Sequence, residues 1–454
     1  MSFPAYPDYR DSGVEWLGVV PAYWESWKVS HAFGELGSGT TPPTSEVEWY
    51  EGGTVPWVTT GELRESVVWE TKKLLSTAAL SAFSALRLHP AGSLAIAMYG
   101  ATIGRLGILG IDATTNQACC LLTRPNHLHI KFTFFWLLAF KQHIIDLYAS
   151  GGGQPNINQE IISNLKIPAP EVREQIQIAR FLDHETARID TLIEEQQSLI
   201  ELLKEKRQAV ISHVVTKGLD PTMPMKDSGV EWLGEVPVHW DISRLKYHST
   251  KIGDGLHATP EYDDEGDYFF INGNNLVDGE IVTNSTTRKV NFQEFLKHRV
   301  QLDSSTVLIS INGTIGNLAL YNSEPVILGK SAAYINCTES LSRSFCLYLF
   351  SSEQIKRFFD SQLTGTTIYN LSLRTVAETP TPLPPLDEQT SIVKFLNQRI
   401  AEFDELIDNA VQLSKLLQER RSALISAAVT GKIDVRGWQP TANAPSHELE
   451  QEAL

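Results

Sequence analysis

The sequence has no stretch of about 18 uninterrupted apolar residues and no basic-then-apolar leader at its N-terminus, which leaves membrane and secretory readings without support. Cysteine is scarce. Cys119, Cys120, Cys337 and Cys346 contain no C-x-x-C pair, the spacing of zinc and redox motifs, so buried, inert thiols in a reducing cytosol are expected. Basic charge is also short: 38 Lys and Arg against 54 Asp and Glu give a net charge of −16. That balance argues against a nucleic-acid binder of the highly basic kind. It leaves room for one that gathers its cations on one side.

Catalytic motifs are missing too. Gly329-Lys330-Ser331 resembles the end of a phosphate loop, but the glycine required five residues before Gly329 is replaced by Glu324. The paired prolines in Thr41-Pro42-Pro43-Thr44 and Leu383-Pro384-Pro385-Leu386 lack the polar and aromatic neighbours with which an amino-methyltransferase grips a flipped adenine. Gly37-Ser38-Gly39 reads as an ordinary turn rather than a cofactor loop. The acidic run from Glu261 to Asp267 fails as a calcium loop, because position twelve is Asn272. Glu70-Thr71-Lys72 has no preceding Pro-Asp pair, and His127-Leu128-His129 reads as strand and loop surface rather than a metal site.

What is present is a duplication. Asp11-Ser12-Gly13-Val14-Glu15-Trp16-Leu17-Gly18, with Val20-Pro21 and Trp24, returns 216 positions later as Asp227-Ser228-Gly229-Val230-Glu231-Trp232-Leu233-Gly234, with Val236-Pro237 and Trp240. Gly100-Ala101-Thr102-Ile103-Gly104 answers Gly313-Thr314-Ile315-Gly316, Pro168-Ala169-Pro170 answers Pro382-Leu383-Pro384, and Glu174-Gln175 answers Glu388-Gln389. So long an offset means two folded modules, because short solenoid repeats recur every 20 to 50 residues or so.

Each half begins with short apolar runs between glycine-containing turns, the pattern of strands joined by loops. Ala95 to Tyr99 and Leu106 to Leu109 serve in the first half; Tyr268 to Ile271, Val307 to Ile311 and Leu318 to Tyr321 serve in the second. After Pro170 neither Gly nor Pro occurs until Gly218, which predicts a helix. Its heptad seam reads Leu182, Glu185, Ile189, Leu192, Gln196, Leu199, Leu203, Lys206, Val210 and His213. The second half repeats it as Leu396, Arg399, Phe403, Leu406, Ala410, Leu413, Leu417, Arg420, Leu424 and Ala427. A seam of about 33 residues is roughly 50 Å long, so two such helices in one chain are expected to zip together. The fold class expected is α+β, two mixed α/β domains joined by two long antiparallel coiled-coil helices with a pseudo-two-fold repeat. The boundaries are 1–170, 171–218 (helix), 219–385, 386–437 (helix) and a flexible tail over 438–454.

The loops between strands are polar and rich in Gly, Asn, Gln, Ser and Thr. Asn and Gln suit adenine edges, whereas hydroxyls and backbone N–H groups suit phosphates. Candidate DNA contacts in the first half are Ser38, Thr40, Thr41, Thr59, Thr60, Tyr99, Thr102, Arg105, Asn116, Gln117, Gln154 and Asn156. In the second half they are His257, Thr259, Asn272, Asn274, Asn275, Asn312, Thr314, Lys330, Thr366 and Thr367. No catalytic or metal-binding residue is predicted.

This ordered set resembles the specificity subunit of type I DNA restriction-modification enzymes. The likeness rests on the duplicated Asp-Ser-Gly-Val-Glu-Trp-Leu-Gly, Gly39-Thr40-Thr41-Pro42, Val55 to Leu63, the Gly-Ala-Thr-Ile-Gly turn, and Pro-x-Pro before Glu-Gln with Phe-Leu. It covers nearly the whole chain. The resemblance implies two target-recognition domains, each reading one half of a split site in double-stranded DNA, held apart by two helices that act as a ruler. It also implies a cytoplasmic complex with two methyltransferase subunits and then restriction/translocase subunits. S-adenosylmethionine, ATP and Mg are expected on those partners and no cofactor on this chain. Two departures stand out: Gly253 to Pro260 replaces Gly37 to Pro42, and Lys330-Ser331 stands where Asn116-Gln117 is expected. Shared residues are expected to serve fold or phosphate contact, and differing ones to read bases. The alternatives are a coiled-coil scaffold without DNA specificity, or a methyltransferase or nuclease with degenerate motifs.

Overall fold

The structure, a computed structural model, describes residues 3–149, 155–363 and 369–440. The chain divides into two compact units, one of Met1–Glu195 with Leu413–Leu454 and the other of Gln196–Gln412. Each unit thus takes one stretch of each long helix.

In the first unit a five-stranded sheet has the order β1-β8-β5-β6-β3, built from β1 (Phe33–Ser38), β3 (Ser66–Val68), β5 (Leu94–Ala97), β6 (Leu106–Leu109) and β8 (Cys119–Pro125). A smaller sheet, β7-β2-β4, joins β7 (Thr114–Thr115), β2 (Val55–Val58) and β4 (Leu74–Leu75). One face of the larger sheet packs on α1 (Ile130–Tyr148), which buries Phe132, Phe135, Trp136 and Leu137. That helix lies in a region the sequence presents as strand-rich; its apolar residues run consecutively, so no helical period is visible. The second unit repeats the plan. Its sheets are β9-β15-β12-β13 and β11-β10-β14, from β9 (Ser249–Asp254), β10 (Tyr268–Ile271), β11 (Lys289–Val290), β12 (Thr306–Ser310), β13 (Leu318–Leu320), β14 (Val326–Leu328) and β15 (Ala332–Cys337).

The duplicated peptide makes the same local structure twice. Asp11 and Asp227 accept from the N–H groups of Gly13 (2.8 Å) and Gly229 (2.9 Å), closing a turn before Trp16 and Trp232. Trp16 packs against Trp136 and Phe140, Trp232 stacks on Phe358, and Trp24 and Trp240 are fully buried. The first proline of each Pro-x-Pro, Pro168 or Pro382, lies in a two-stranded sheet, Lys166–Ala169 with Glu25–Lys28 and Pro380–Leu383 with Asp241–Arg244, where a missing N–H is tolerated.

Just beyond these prolines the long helices begin, α2 at Val172–Lys217 and α3 at Leu386–Val429. The glutamine of each Glu-Gln pair is buried and ties the helix start to its unit. Gln175 donates to the carbonyls of His127 and Pro170 (both 2.8 Å) and accepts from the His129 N–H (2.7 Å). Gln389 donates to Ser340 and Pro384 (both 3.0 Å) and accepts from the Ser342 N–H (2.8 Å). Glu174 takes the hydroxyls of Tyr6 and Tyr23, and Glu388 takes His239, the counterpart of Tyr23. Left-handed Gly218 and Gly431 follow the helix ends.

The helices run antiparallel within each unit. In the first, Asp190 pairs with Arg421 (2.7 and 3.1 Å) while Gln177 bonds the carbonyls of Val435 and Trp438. In the second, Arg207 pairs with Asp404. These two ion pairs are counterparts at an offset of 214, so both units use one register.

The seam differs from its sequence reading in alternate positions. Leu192 and Leu199 are 43% and 42% exposed and Leu406 and Leu413 51% and 44%, while Ile200 is buried and Ile193, Ile407 and Ser414 turn inward in their place. The seam therefore runs through 189, 193, 196, 200, 203 and 207, and likewise through 403, 407, 410, 414, 417 and 421. Leu-Ile pairs at 192–193, 199–200 and 406–407 fit either assignment, and burial selects the second residue. The tail expectation also shifts. Trp438 packs on Phe181 and His184 and is part of the first unit; residues 441–454 lie outside the described residues.

Candidate nucleic-acid interface

In each unit the strands deliver their polar loops to one edge. Ser38 ends β1 opposite Cys120, and Ala97 ends β5 opposite Cys119. Thr115 ends β7 beside Val58 of β2. The segments 38–41, 58–60, 97–99 and 115–117 must therefore meet, and side chains knit them together. Thr41 Oγ1 donates to Gln117 Oε1 (2.6 Å), the Tyr99 hydroxyl donates to the Gln117 carbonyl, and Trp57 Nε1 donates to the Thr40 carbonyl (3.2 Å). Asn156 joins through a bridge to Tyr99. Burial pushes the Tyr99 hydroxyl pKa up, keeping it a donor. Gln154 lies outside the described residues.

Several candidates are occupied by the fold itself. Thr59 and Glu62 form a capping box around the turn Thr60–Glu62, and Glu62 also takes the Lys72 N–H (2.7 Å). Asn116 Oδ1 accepts from the Ala118 N–H (3.2 Å), and Thr102 Oγ1 folds back on the Tyr99 carbonyl (3.4 Å). Among the described residues the Thr60 and Arg105 side chains make no bond to the cluster; Arg105 starts the return into β6. Gly39 makes the closest approach. A Cβ there would lie 1.6 Å from the Thr115 carbonyl oxygen, so this glycine is more than an ordinary turn residue.

The second unit assembles the same edge with other side chains. Asn272 and Asn275 form its capping box around Gly273–Asn275, and Asn272 Oδ1 also accepts from Ser331 Oγ (3.0 Å). Asn275 donates to the Val282 carbonyl (2.9 Å), and Asn274 is exposed. Asn312 donates to the Lys330 carbonyl (3.1 Å) and bridges to Asn370. His257 bonds Asp254 (2.7 Å), Thr259 is exposed beyond it, and the Thr314 carbonyl accepts from Ser310 Oγ. Thr366 and Thr367 lie outside the described residues. Gly255 presses on Leu328 as Gly39 does on Thr115.

Strand register aligns the halves residue by residue. Val58 beside Thr115 matches Ile271 beside Leu328, so Gln117 corresponds to Lys330 and Asn116 to Gly329. The expectation that Lys330-Ser331 replaces Asn116-Gln117 is thus corrected by one position, since the repeat offset at this turn is 213. Gly329 is required there. A Cβ would meet Asn272 Oδ1 at 2.3 Å, whereas the first unit carries the shorter Thr59 in that place.

Elsewhere little chemistry is on offer. All four cysteines are buried, and burial pushes the Cys119 and Cys120 thiols up to about 12. His127 is a loop residue stacked on Trp27 at 3.7 Å. Among the described residues no group of three or more His, Cys, Asp or Glu could hold a metal, and no helix is long and apolar enough to cross a membrane.

Against known proteins, residues 24–202 and 237–413 each match the family described as type I restriction modification DNA specificity domain. The chain belongs to this family. Similar proteins include the type I restriction enzyme MjaVIII specificity subunit of Methanocaldococcus jannaschii, 24% identical over 92% of this chain and 94% of that one. The EcoR124I/EcoR124II specificity subunit of Escherichia coli is 24% identical over 37% of this chain and 41% of its own length. A chain solved to show complex assembly and conformational transition of the type I R-M system shares the fold with a TM-score of 0.71, at 18% identity and covering 91% of this chain and 99% of its own. The HsdS subunit from Thermoanaerobacter tengcongensis shares it at 0.56, with 17% identity and coverage of 91% and 98%. The protein is thus a DNA specificity subunit with two specificity domains, a number that fits recognition of a bipartite site.

Proposed function

We propose that each unit reads one half of a split double-stranded DNA site with its convergent loop edge, and that this chain contributes recognition but no chemistry. The observation carrying this reading is the duplicated edge: the same four segments meet twice, held by equivalent backbone bonds yet tipped with different side chains. Two different half-sites require such an arrangement, because bases are distinguished by the pattern of donors and acceptors on their edges. The candidate set from Ser38 to Asn156 and from His257 to Lys330 then divides into residues that shape the edge and residues that face DNA.

In this reading the partners are two methyltransferase subunits, followed by restriction/translocase subunits, acting in the cytoplasm. S-adenosylmethionine, ATP and Mg belong to those partners. The helices α2 and α3 set the distance between half-sites. The test is co-expression with the methyltransferase subunit and mapping of methylated adenines, beside an assay of the purified single chain. Methylation at a bipartite site by the complex and none by the chain alone is expected. Methyl transfer by the single chain, abolished by a substitution within it, would overturn the non-catalytic role.

A further inference from the structure

Residues 117 and 330 sit at the same point of the same device. In each unit a tight turn follows the short parallel strand, closed by Cys119 N–H to the Asn116 carbonyl (3.3 Å) and by Ala332 N–H to the Gly329 carbonyl (3.0 Å). The second residue of the turn is Gln117 in one case and Lys330 in the other, and both are exposed. Its backbone carbonyl is held each time by the side chain at the equivalent place after the central strand, Tyr99 or Asn312. Two unrelated side chains thus make one contact, and what they fix is the position of the turn.

The projecting groups differ in a chemically specific way. Thr41 donates to Gln117 Oε1 at 2.6 Å, which leaves that oxygen a second lone pair and orients the amide, so that Oε1 and Nε2 form an acceptor-donor pair at the tip. An adenine major-groove edge offers the complementary N6 donor and N7 acceptor. Lys330 carries only donors, and its exposed side chain makes no ion pair among the described residues. A guanine edge offers two acceptors, O6 and N7.

We propose that Gln117 and Lys330 are equivalent base-reading positions, Gln117 recognising an adenine in one half-site and Lys330 a guanine in the other. The assignment rests on the reading of the two edges as DNA-facing. Thr41 is then a positioning residue for Gln117, and Tyr99 and Asn312 for the two turns.

The test is a methylation map over a randomised DNA library, made with the full chain in complex with its methyltransferase subunit. It compares wild type with Gln117→Ala, Gln117→Lys, Lys330→Ala and Lys330→Gln. Each alanine variant is expected to lose discrimination at one base pair of one half-site by roughly tenfold or more. Gln117→Lys is expected to move that preference from A·T towards G·C, and Lys330→Gln to do the reverse in the other half-site. Equal loss on all sequences with an unchanged preference profile marks phosphate contacts and overturns the assignment, as does a change in both half-sites from one substitution. Both turn tips are exposed, so a melting curve matching wild type confirms that a changed profile is not a folding defect. A wild-type complex that methylates no split site contradicts the DNA-facing reading itself, a result distinct from an intact site left unmoved by the variants.

Discussion

At the scale of single residues, the strongest constraints come from side chains that complete backbone bonding. Replacing Gln175 or Gln389 with alanine strands one N–H and two carbonyls in a buried setting, each a penalty of about 1–3 kcal/mol before relaxation. We expect each variant to lose about 2–4 kcal/mol in chemical denaturation; a loss below about 0.5 kcal/mol, the size of an ordinary surface change, would contradict the latch. Gly39→Ala forces the Thr115 strand end away and should impair recognition of the first half-site alone, read by methylation mapping. Burial holds the His89 and His129 imidazoles below the ordinary histidine value of about 6.5. A depressed histidine contributes stability that is present above its unfolded pKa and lost as pH falls through it, so the denaturation midpoint should drop on acidification below about 6.5. A midpoint flat between pH 7.5 and 5.5 would contradict that.

Among elements, the helices were legible in outline and ambiguous in detail. The absence of Gly and Pro from 171 to 217 marked α2, and Gly218 marked its end. The seam was uncertain because Leu192 and Ile193 are adjacent and equally apolar; only packing decides between them. For the loop edges, composition identified the segments that converge, but not which side chains the fold consumes. Asn272 and Asn275 look like adenine readers in sequence, yet they cap a turn, since a side-chain amide bonds a nearby backbone group as readily as a base. Gln117 and Lys330 could not be matched without strand register, because repeat offsets drift between 212 and 216. The ion pairs Asp190–Arg421 and Arg207–Asp404 fix the helix register, so lengthening must be matched in both helices. One heptad inserted after Gln196 and one after Gln412 lengthens each helix by roughly 10 Å. At about 3.4 Å per base pair, the methylated site should then carry a spacer longer by about three base pairs. An active complex that keeps the original spacer would refute the ruler.

For the whole molecule, duplication explains how an acidic chain serves DNA recognition: fold is repeated, while the tips of the loops are free to diverge. Residues shared between halves, such as Trp24 and Trp240 or Gln175 and Gln389, are buried and structural. Those that differ, such as Gln117 and Lys330, are exposed at the converged edges. Specificity should therefore move with a unit. The direct measurement replaces residues 1–170 with the matching domain of another family member, co-expresses the chimaera with the methyltransferase subunit, and maps methylated adenines across a genome. A split site is expected in which one half changes while the other half and the spacer remain; a change in both halves, or no dependence on the exchanged domain, would contradict modular recognition.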